Sequence, residues 1–369
     1  MAHEITFYPK GNADTCLIEP EGGSLLLFDF ADKHVEGGLE VDLSAALRGN
    51  LYDSGRDGFD VVAFTHLDDD HIHGATDFFH LRHSRSYQGE GRAKIDELWV
   101  PAGAITESNL TGERLTIRAE ARHRLIEGEG IRVFSRPKAL EAWLASRSIR
   151  LEDRAHLITD AGNVVPGFDK RIHGVEFFVH SPFALQQDGA GRVDRNRDSL
   201  VFQTTFRYGS RYAQLFLSAD STHEALANIV RLSEYHGNGD RLEWDIMKIP
   251  HHCSSYSLAD EKGVHVTEPE EDVGRLFEEY GQPGGILVSP SKPILSNDDN
   301  DQPPHRQAAN YYKGVARLSR GEFEVTMEHP KRPKPEPLVI VIDDTGARVR
   351  KVASVGTLGI TNRPAPRAG

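Results

Sequence analysis

Cysteine and long apolar runs are the scarce features of this chain. Of 369 residues only Cys16 and Cys253 are cysteine, and they form no Cys-x-x-Cys pair. Neither a disulfide framework nor a thiolate metal knuckle can be written from them, and a reducing compartment is the simplest setting. No apolar run approaches the roughly 20 residues that a membrane-crossing helix needs. Met1-Ala2-His3-Glu4 has none of the basic and apolar pattern of an export signal. A soluble cytoplasmic protein with no membrane partner is expected. Basic charge is also short, 43 Lys and Arg against 56 Asp and Glu, for a net charge of −13. That excludes broad coating of nucleic acid and attraction to an anionic membrane. It does not exclude a nuclease, because bound divalent cations supply positive potential locally. At about 100 to 200 residues per domain the length allows two or three domains, or one large α/β domain with insertions.

What is abundant is concentrated in ten residues, Thr65-His66-Leu67-Asp68-Asp69-Asp70-His71-Ile72-His73-Gly74. They follow the apolar run Asp60-Val61-Val62-Ala63-Phe64, which reads as a buried strand. The stretch therefore falls in the loop at a strand's carboxyl end, where α/β folds place their sites. Three histidines and three aspartates in so short a segment make a poor core, and imidazole nitrogen with carboxylate oxygen suits zinc, manganese or iron. In a tight turn His66, Asp68 and Asp70 can share one side while His71 takes a neighbouring direction.

The pattern His-x-Asp-x-Asp-His resembles the His-x-His-x-Asp-His signature of the metallo-β-lactamase superfamily, with Asp68 where most members have a second histidine. That replacement resembles the metallo-hydrolase domain of bacterial competence DNA-uptake (ComEC) proteins. Further segments extend the resemblance in chain order. Gly11-Asn12-Ala13-Asp14 and the strand Leu25–Phe30 ending near Asp29 resemble the opening of the superfamily, and imply that Asp14 and Asp29 hold the motif loop by hydrogen bonds. His180 closes a strand before Pro182, in the position of a third metal-binding element. Asn196-Arg197-Asp198-Ser199-Leu200-Val201 matches the Asn-x-x-Ser-Leu-Val phrase of the competence-type domains. Asp220, where the strand Tyr212–Leu217 empties into Ser218-Ala219-Asp220, is the implied carboxylate bridging two ions. Pro250-His251-His252-Cys253-Ser254 stands where relatives read Pro-His-His-Gly-Ser. Cys253 thus replaces a glycine at a position where positive φ carries a steric cost; with no partner base at recognisable spacing, it reads as a supporting residue and not a nucleophile.

The fold so implied is an α/β αββα sandwich, two mixed sheets flanked by helices. It is expected over residues 1–329, with a helical insertion at about 102–170, followed by a C-terminal strand extension and flexible tail at 330–369. Strand and helix periodicity alone indicate only an α/β chain with two groups of strands. His80 and His83 read as surface or packing residues of a helix over 75–85, and His305 as the first residue of a later helix.

The resemblance implies two divalent ions, zinc or manganese, held by His66, Asp68, Asp70, His71, His180, Asp220 and His251. Asp70 counts as catalytic as well, and His252 or His305 would protonate the departing oxygen. A phosphodiester's anionic centre repels hydroxide, so paired cations that activate water and neutralise charge suit it. The expected function is a metal-dependent phosphodiesterase or nuclease acting on DNA or RNA. Three other readings stay open: a hydrolase of small esters, lactones or thioesters, a phosphodiesterase of cyclic or modified nucleotides with a closed pocket, and an inactive assembly partner in a bacterial defence system, with a protein partner.

Overall fold

The structure, a computed structural model, describes residues 2–33, 37–190, 193–297 and 301–351. The part of the expected C-terminal tail beyond residue 351, and residues 298–300 ahead of His305, lie outside the described residues. The chain first lays down β1 (His3–Phe7), β2 (Cys16–Glu19), β3 (Leu26–Phe28), β4 (Gly58–Ala63), β5 (Lys94–Pro101), β6 (Ile131–Phe134) and β7 (Ile158–Thr159). A second sheet follows, from β8 (Val175–Ser181), β9 (Val201–Tyr208), β10 (Arg211–Leu217), β11 (Trp244–Lys248), β12 (Gly281–Ser289) and β13 (Glu322–Val325). The chain then returns to the first sheet with β14 (Leu338–Asp343) and β15 (Gly346–Val349). The orders are β15-β14-β1-β2-β3-β4-β5-β6-β7 and β13-β12-β11-β10-β9-β8. Each sheet is mixed: β3 to β7 and β10 to β13 run parallel, whereas the β1/β2, β2/β3, β8/β9 and β9/β10 pairs are antiparallel.

Period-2 alternation decides which side chains face which layer. In β4, Val61 and Ala63 enter the core shared by the sheets, while Val62 faces outward; in β11, Ile246 faces in and Met247 out. The shared core is rich in aromatics. The Trp99 ring lies 5.3 Å from Phe177, 5.5 Å from Phe134 and 5.7 Å from Phe202.

Helices α1 (Leu43–Asp53), α2 (Asp69–Ile72), α3 (Ala75–Phe78), α4 (Ala102–Thr106), α5 (Gly112–Glu127) and α6 (Lys138–Ala145) belong to the first half. Helices α7 (Ala184–Ala190), α8 (His223–Tyr235), α9 (Glu271–Glu278) and α10 (Arg306–Ser319) belong to the second. In α1 the Asp42 carboxylate caps the Ala45 N–H, and Leu43, Leu47 and Leu51 form the buried stripe. An 11-residue helix is marginal alone; burial at about 1.5–3 kcal/mol per leucine holds it on the sheet. α5 and α6 join α1 over the first sheet, and α8, α9 and α10 cover the second. The result is the α/β arrangement of two mixed sheets flanked by helices.

Three local expectations differ. Residues 102–170 supply α4, α5 and α6, but also β6 and β7, which continue the first sheet in parallel. β6 is only Ile-Arg-Val-Phe, too short and too interrupted by Arg132 to show strand periodicity. Among the described residues no break separates 330–351 from the rest: β14 pairs with β1 over five residues and covers what would otherwise be an exposed sheet edge. The helix expected over 75–85 ends at Phe78, because Phe79 pairs as an isolated bridge with Ala93 and packs its ring on Phe30.

The parallel strands of both sheets bring their carboxyl ends to one edge. β3 and β4 deliver Asp29 and residues 65–71, while β10, β11 and β12 deliver Asp220, the Pro250–Cys253 turn and Pro290.

Candidate metal centre

Asp29 organises the motif loop from below. Its Oδ1 accepts from the Thr65 N–H at 2.7 Å, and its Oδ2 accepts from the Thr65 hydroxyl at 2.7 Å. The same Oδ2 is 2.8 Å from His71 Nδ1. A proton on Nδ1 donates to the carboxylate and leaves the Nε2 lone pair pointing to the centre, the usual arrangement of a metal-binding histidine. Asp29 takes φ +57°, and the Asp14 N–H donates to the Asp70 carbonyl at 3.0 Å, which ties the loop to the β1–β2 turn. From the other side, the Leu200 N–H donates to the Thr65 carbonyl at 3.0 Å, so the Asn-x-x-Ser-Leu-Val phrase braces the same loop.

The second sheet contributes the opposing wall. Ala219 (φ +47°) turns the chain so that buried Asp220 faces in, and its carbonyl accepts from the His251 N–H at 3.2 Å. His251, His252 and Cys253 then take φ of +48°, +52° and +66° in succession. Left-handed angles outside glycine cost about 1–3 kcal/mol each, so the turn persists because its surroundings determine it. His252 is one such anchor: its Nδ1 is 2.9 Å from the Pro290 carbonyl, leaving Nε2 facing Asp70 Oδ2 at 3.2 Å and Asp220 Oδ2 at 3.5 Å. Cys253 is buried, which pushes its thiol up to about 12 against a hydrogen bond from Ser289. A thiol so held is a packing group, not a nucleophile.

Asp70, His71, Asp220 and His252 each place one donor atom within 4.8 Å of the others. His71 Nε2 lies 3.2 Å from Asp220 Oδ1. These two atoms are buried without a hydrogen-bond partner, as is His66 Nε2 beside them, with the His66 and His71 rings 4.0 Å apart. Unsatisfied buried polar atoms cost about 1–3 kcal/mol each, and one cation between them answers both His71 Nε2 and Asp220 Oδ1. Burial lowers the pKa of His71, but the carboxylates of Asp220 and Asp29 outweigh it and hold the group well above the ordinary histidine value. Burial raises Asp220, but His252 and His71 hold it well below the usual carboxylate range. The donors thus demand positive charge between them. Two imidazoles and two carboxylates fit one divalent ion such as zinc, manganese or iron.

Asp68 faces elsewhere. Its Oδ1 accepts from Arg195 at 2.5 Å and lies 3.5 Å from Arg114, while Oδ2 is 3.6 Å from His66 Nε2. Arg195 is gripped in turn by Glu107 at 3.0 and 2.6 Å. Beside Asp68 opens a groove of about 860 Å³ lined among others by Glu107, Ser108, Lys138, Arg195 and Asn196.

Of the residues expected in the site, Asp70, His71 and Asp220 come together, with His66 and Asp68 next to them. Three expectations are corrected. His180 faces away: its Nε2 is 2.8 Å from the Arg241 carbonyl, its Nδ1 is 3.3 Å from the Ser233 hydroxyl, and its ring packs on Phe216, an outward-facing residue of β10. With both nitrogens engaged it has no lone pair for an ion. His251 and His252 exchange places, since the left-handed turn aims His252 into the donor group and leaves His251, partly exposed, 4.0 Å from Asp220 Oδ2. His305 has both ring nitrogens occupied, Nδ1 by the Ser255 N–H at 2.9 Å and Nε2 by the Asp301 carbonyl at 3.2 Å. Together with its backbone N–H on the Cys253 carbonyl, this makes it a clamp on the turn.

Sequence reasoning missed Lys248, Arg195, Arg114 and Glu107. Lys248 is buried under the centre, donates to the Ala219 carbonyl at 3.0 Å and pairs with Asp14. Its signal was a lysine directly after the apolar pair Ile246-Met247, at the end of the strand that precedes Pro250.

No family model and no curated protein matches the chain. Among solved structures it is similar to the metallo-β-lactamase GOB-18 from Elizabethkingia meningoseptica, at 10% identity over 84% of each chain with a TM-score of 0.30. It is also similar to a β-lactamase from Chitinophaga pinensis, at 9% identity over 85% of this chain and 89% of that one, TM-score 0.32. A third is the class B3 di-zinc metallo-β-lactamase LRA-12 from an Alaskan soil metagenome, at 10% identity over 85% and 91%, TM-score 0.32. None of these three is a DNA-uptake protein.

Proposed function

We propose that this chain is a metal-dependent hydrolase and that its substrate is a phosphodiester of DNA or RNA. The observation that carries the reading is the group Asp70, His71, Asp220 and His252, in which His71 Nε2 and Asp220 Oδ1 are buried without a hydrogen-bond partner; Asp68 of the same loop lines a groove with Arg195 and Lys138 on its wall. Zinc or manganese suits the donors, since half of them are carboxylates. A divalent ion bound there supplies Lewis acidity and a water acidified to near neutrality.

The chain's own groups do the rest. Asp29 and the Pro290 carbonyl orient the two imidazoles. Arg195 and Arg114 place positive charge where an anionic phosphate would approach, and a guanidinium matches two phosphate oxygens at once. Burial lowers His251 despite Asp220, so it rests neutral at the rim and can take up at Nε2 a proton released near Asp220. This proton-handling role was expected of His252 or His305.

A second reading has its own support. The groove wall also carries Glu107, Asp188 and Asp194, which repel a long polyanion and favour a small ester, lactone or thioester.

The test is metal analysis of the purified chain, followed by labelled DNA, RNA, a generic bis-phosphodiester and an ester panel with manganese or zinc. Phosphodiester cleavage abolished by chelation is expected. Turnover of esters alone would move the assignment to the second reading, and turnover that survives chelation would overturn the metal role.

A further inference from the structure

We propose that the centre is built for one divalent ion, and that the guanidinium of Arg195 holds the position a second ion would need. The inference rests on the metal-hydrolase reading and specifies its charge arrangement.

The donor inventory comes first. Asp70, His71, Asp220 and His252 form one four-residue set, whereas His66 and Asp68 join no group of three donors among the described residues. The residue expected to complete a second set, His180, has both ring nitrogens engaged on the far side of its strand. The charge on Asp68 is already answered. Arg195 sits at 2.5 Å from its Oδ1, with Arg114 at 3.5 Å.

Arg195 is not a loose surface arginine swung in by chance. Glu107 holds its Nε and one terminal nitrogen at 3.0 and 2.6 Å, a bidentate grip that fixes the plane of the guanidinium. A second divalent ion at Asp68 would have to displace this fixed positive group, break the charge-assisted bonds to Asp68 and Glu107, and accept His66 as its main remaining ligand. Like charges a few ångströms apart in a partly buried site repel strongly, and a divalent ion doubles the repulsion that a single charge would meet. Arg195 also lines the groove, so the charge it keeps near Asp68 faces whatever enters. Three of its five N–H donors serve Asp68 and Glu107. The remaining two are available to an anionic substrate oxygen.

The experiment counts ions, independently of turnover. The full chain is stripped, reloaded with Mn2+ or Zn2+ alone, and measured by elemental analysis and native mass spectrometry, with thermal melting as the fold control. Wild type is expected to saturate at one ion per chain. Asp68→Asn is expected to stay at one, because Asp68 is not in the donor set. Arg195→Gln, which uncovers Asp68 beside the unpartnered His66 Nε2, is expected to admit a second, weaker ion. Two ions in wild type, loss of the ion in Asp68→Asn, or a count fixed at one in Arg195→Gln would each overturn the proposal. Wild type retaining no ion would overturn the hydrolase reading with it, whereas a failed substrate panel leaves the count unaffected.

Discussion

His71 Nδ1 lies 2.8 Å from Asp29 Oδ2, and this single contact decides which nitrogen of His71 meets the donor group. Asp29 is the first residue after β3 and His71 lies in α2, so the contact couples the end of one strand to the loop of the next. Asp29→Asn keeps an oxygen for the Thr65 N–H but sets an amide N–H against Nδ1, favouring the wrong tautomer. Loss of such an orienting partner typically costs 10–100-fold in metal affinity, or about 1.4–2.7 kcal/mol. Calorimetric titration with zinc or manganese is expected to show a loss of this size in a protein that still melts cooperatively; unchanged affinity would show that Asp29 does not set the ring.

Asp220 stands between His71 and His252, 3.2 and 3.5 Å away. Asp220→Asn removes the charge both imidazoles face without changing side-chain volume, and Asp70→Ala removes another donor. Both variants are expected to lose bound metal and hydrolysis together while remaining folded by circular dichroism. Full turnover in either would dismiss the donor group as the reacting centre.

His180 supplies a pH dependence of stability. Burial lowers its pKa to about 4, against the Arg241 carbonyl hydrogen bond, from an ordinary value of 6.5. The unfolded chain therefore binds more protons between these values, so stability is full above about pH 6.5 and falls as pH drops toward 4. The shift implies a loss on the order of 2 kcal/mol at pH 5 relative to pH 7.5. Denaturant melts of wild type and His180→Gln at the two pH values isolate the effect. Parallel curves for the two proteins would mean that His180 does not titrate on unfolding.

Lys248 and Asp14 form a buried ion pair beneath the centre, with the lysine 4% and the aspartate 2% exposed. Removing one partner of a buried pair costs about 3–5 kcal/mol, because the other charge is left uncompensated. Lys248→Met is expected to destabilise by that order, and Lys248→Met with Asp14→Asn to recover part of it. A double variant no more stable than the single one would show that the cost lies in packing and not in charge.

The parts of the site legible in sequence were those in contiguous segments. Residues 65–74 are a dense run of donors after an apolar strand, and Asp14, Asp29 and Asp220 each sit in a turn or at a strand end, where α/β chemistry collects. The sandwich was legible from the order of these segments, whereas the short strands β6 and β7 escaped, since four residues with an internal arginine and two residues carry no readable period. Arg195, inside Asp194-Arg195-Asn196-Arg197-Asp198, looked like one charge among several. Its role depends on Glu107 and Asp68, 88 and 127 residues away.

What the amino-acid order determined here is the inventory: which donors exist, which strands carry them, and that they share one edge of two sheets. Tertiary structure decided the selection among near-equivalent histidines. Three consecutive left-handed residues aim His252 inward and His251 to the rim, and strand β8 presents His180 to the outer face, where Arg241 and Ser233 consume its nitrogens. The reason is geometric: a side chain's direction follows from backbone angles and sheet register, which long-range packing imposes, and a one-letter sequence does not record which of two neighbouring imidazoles turns toward a charge.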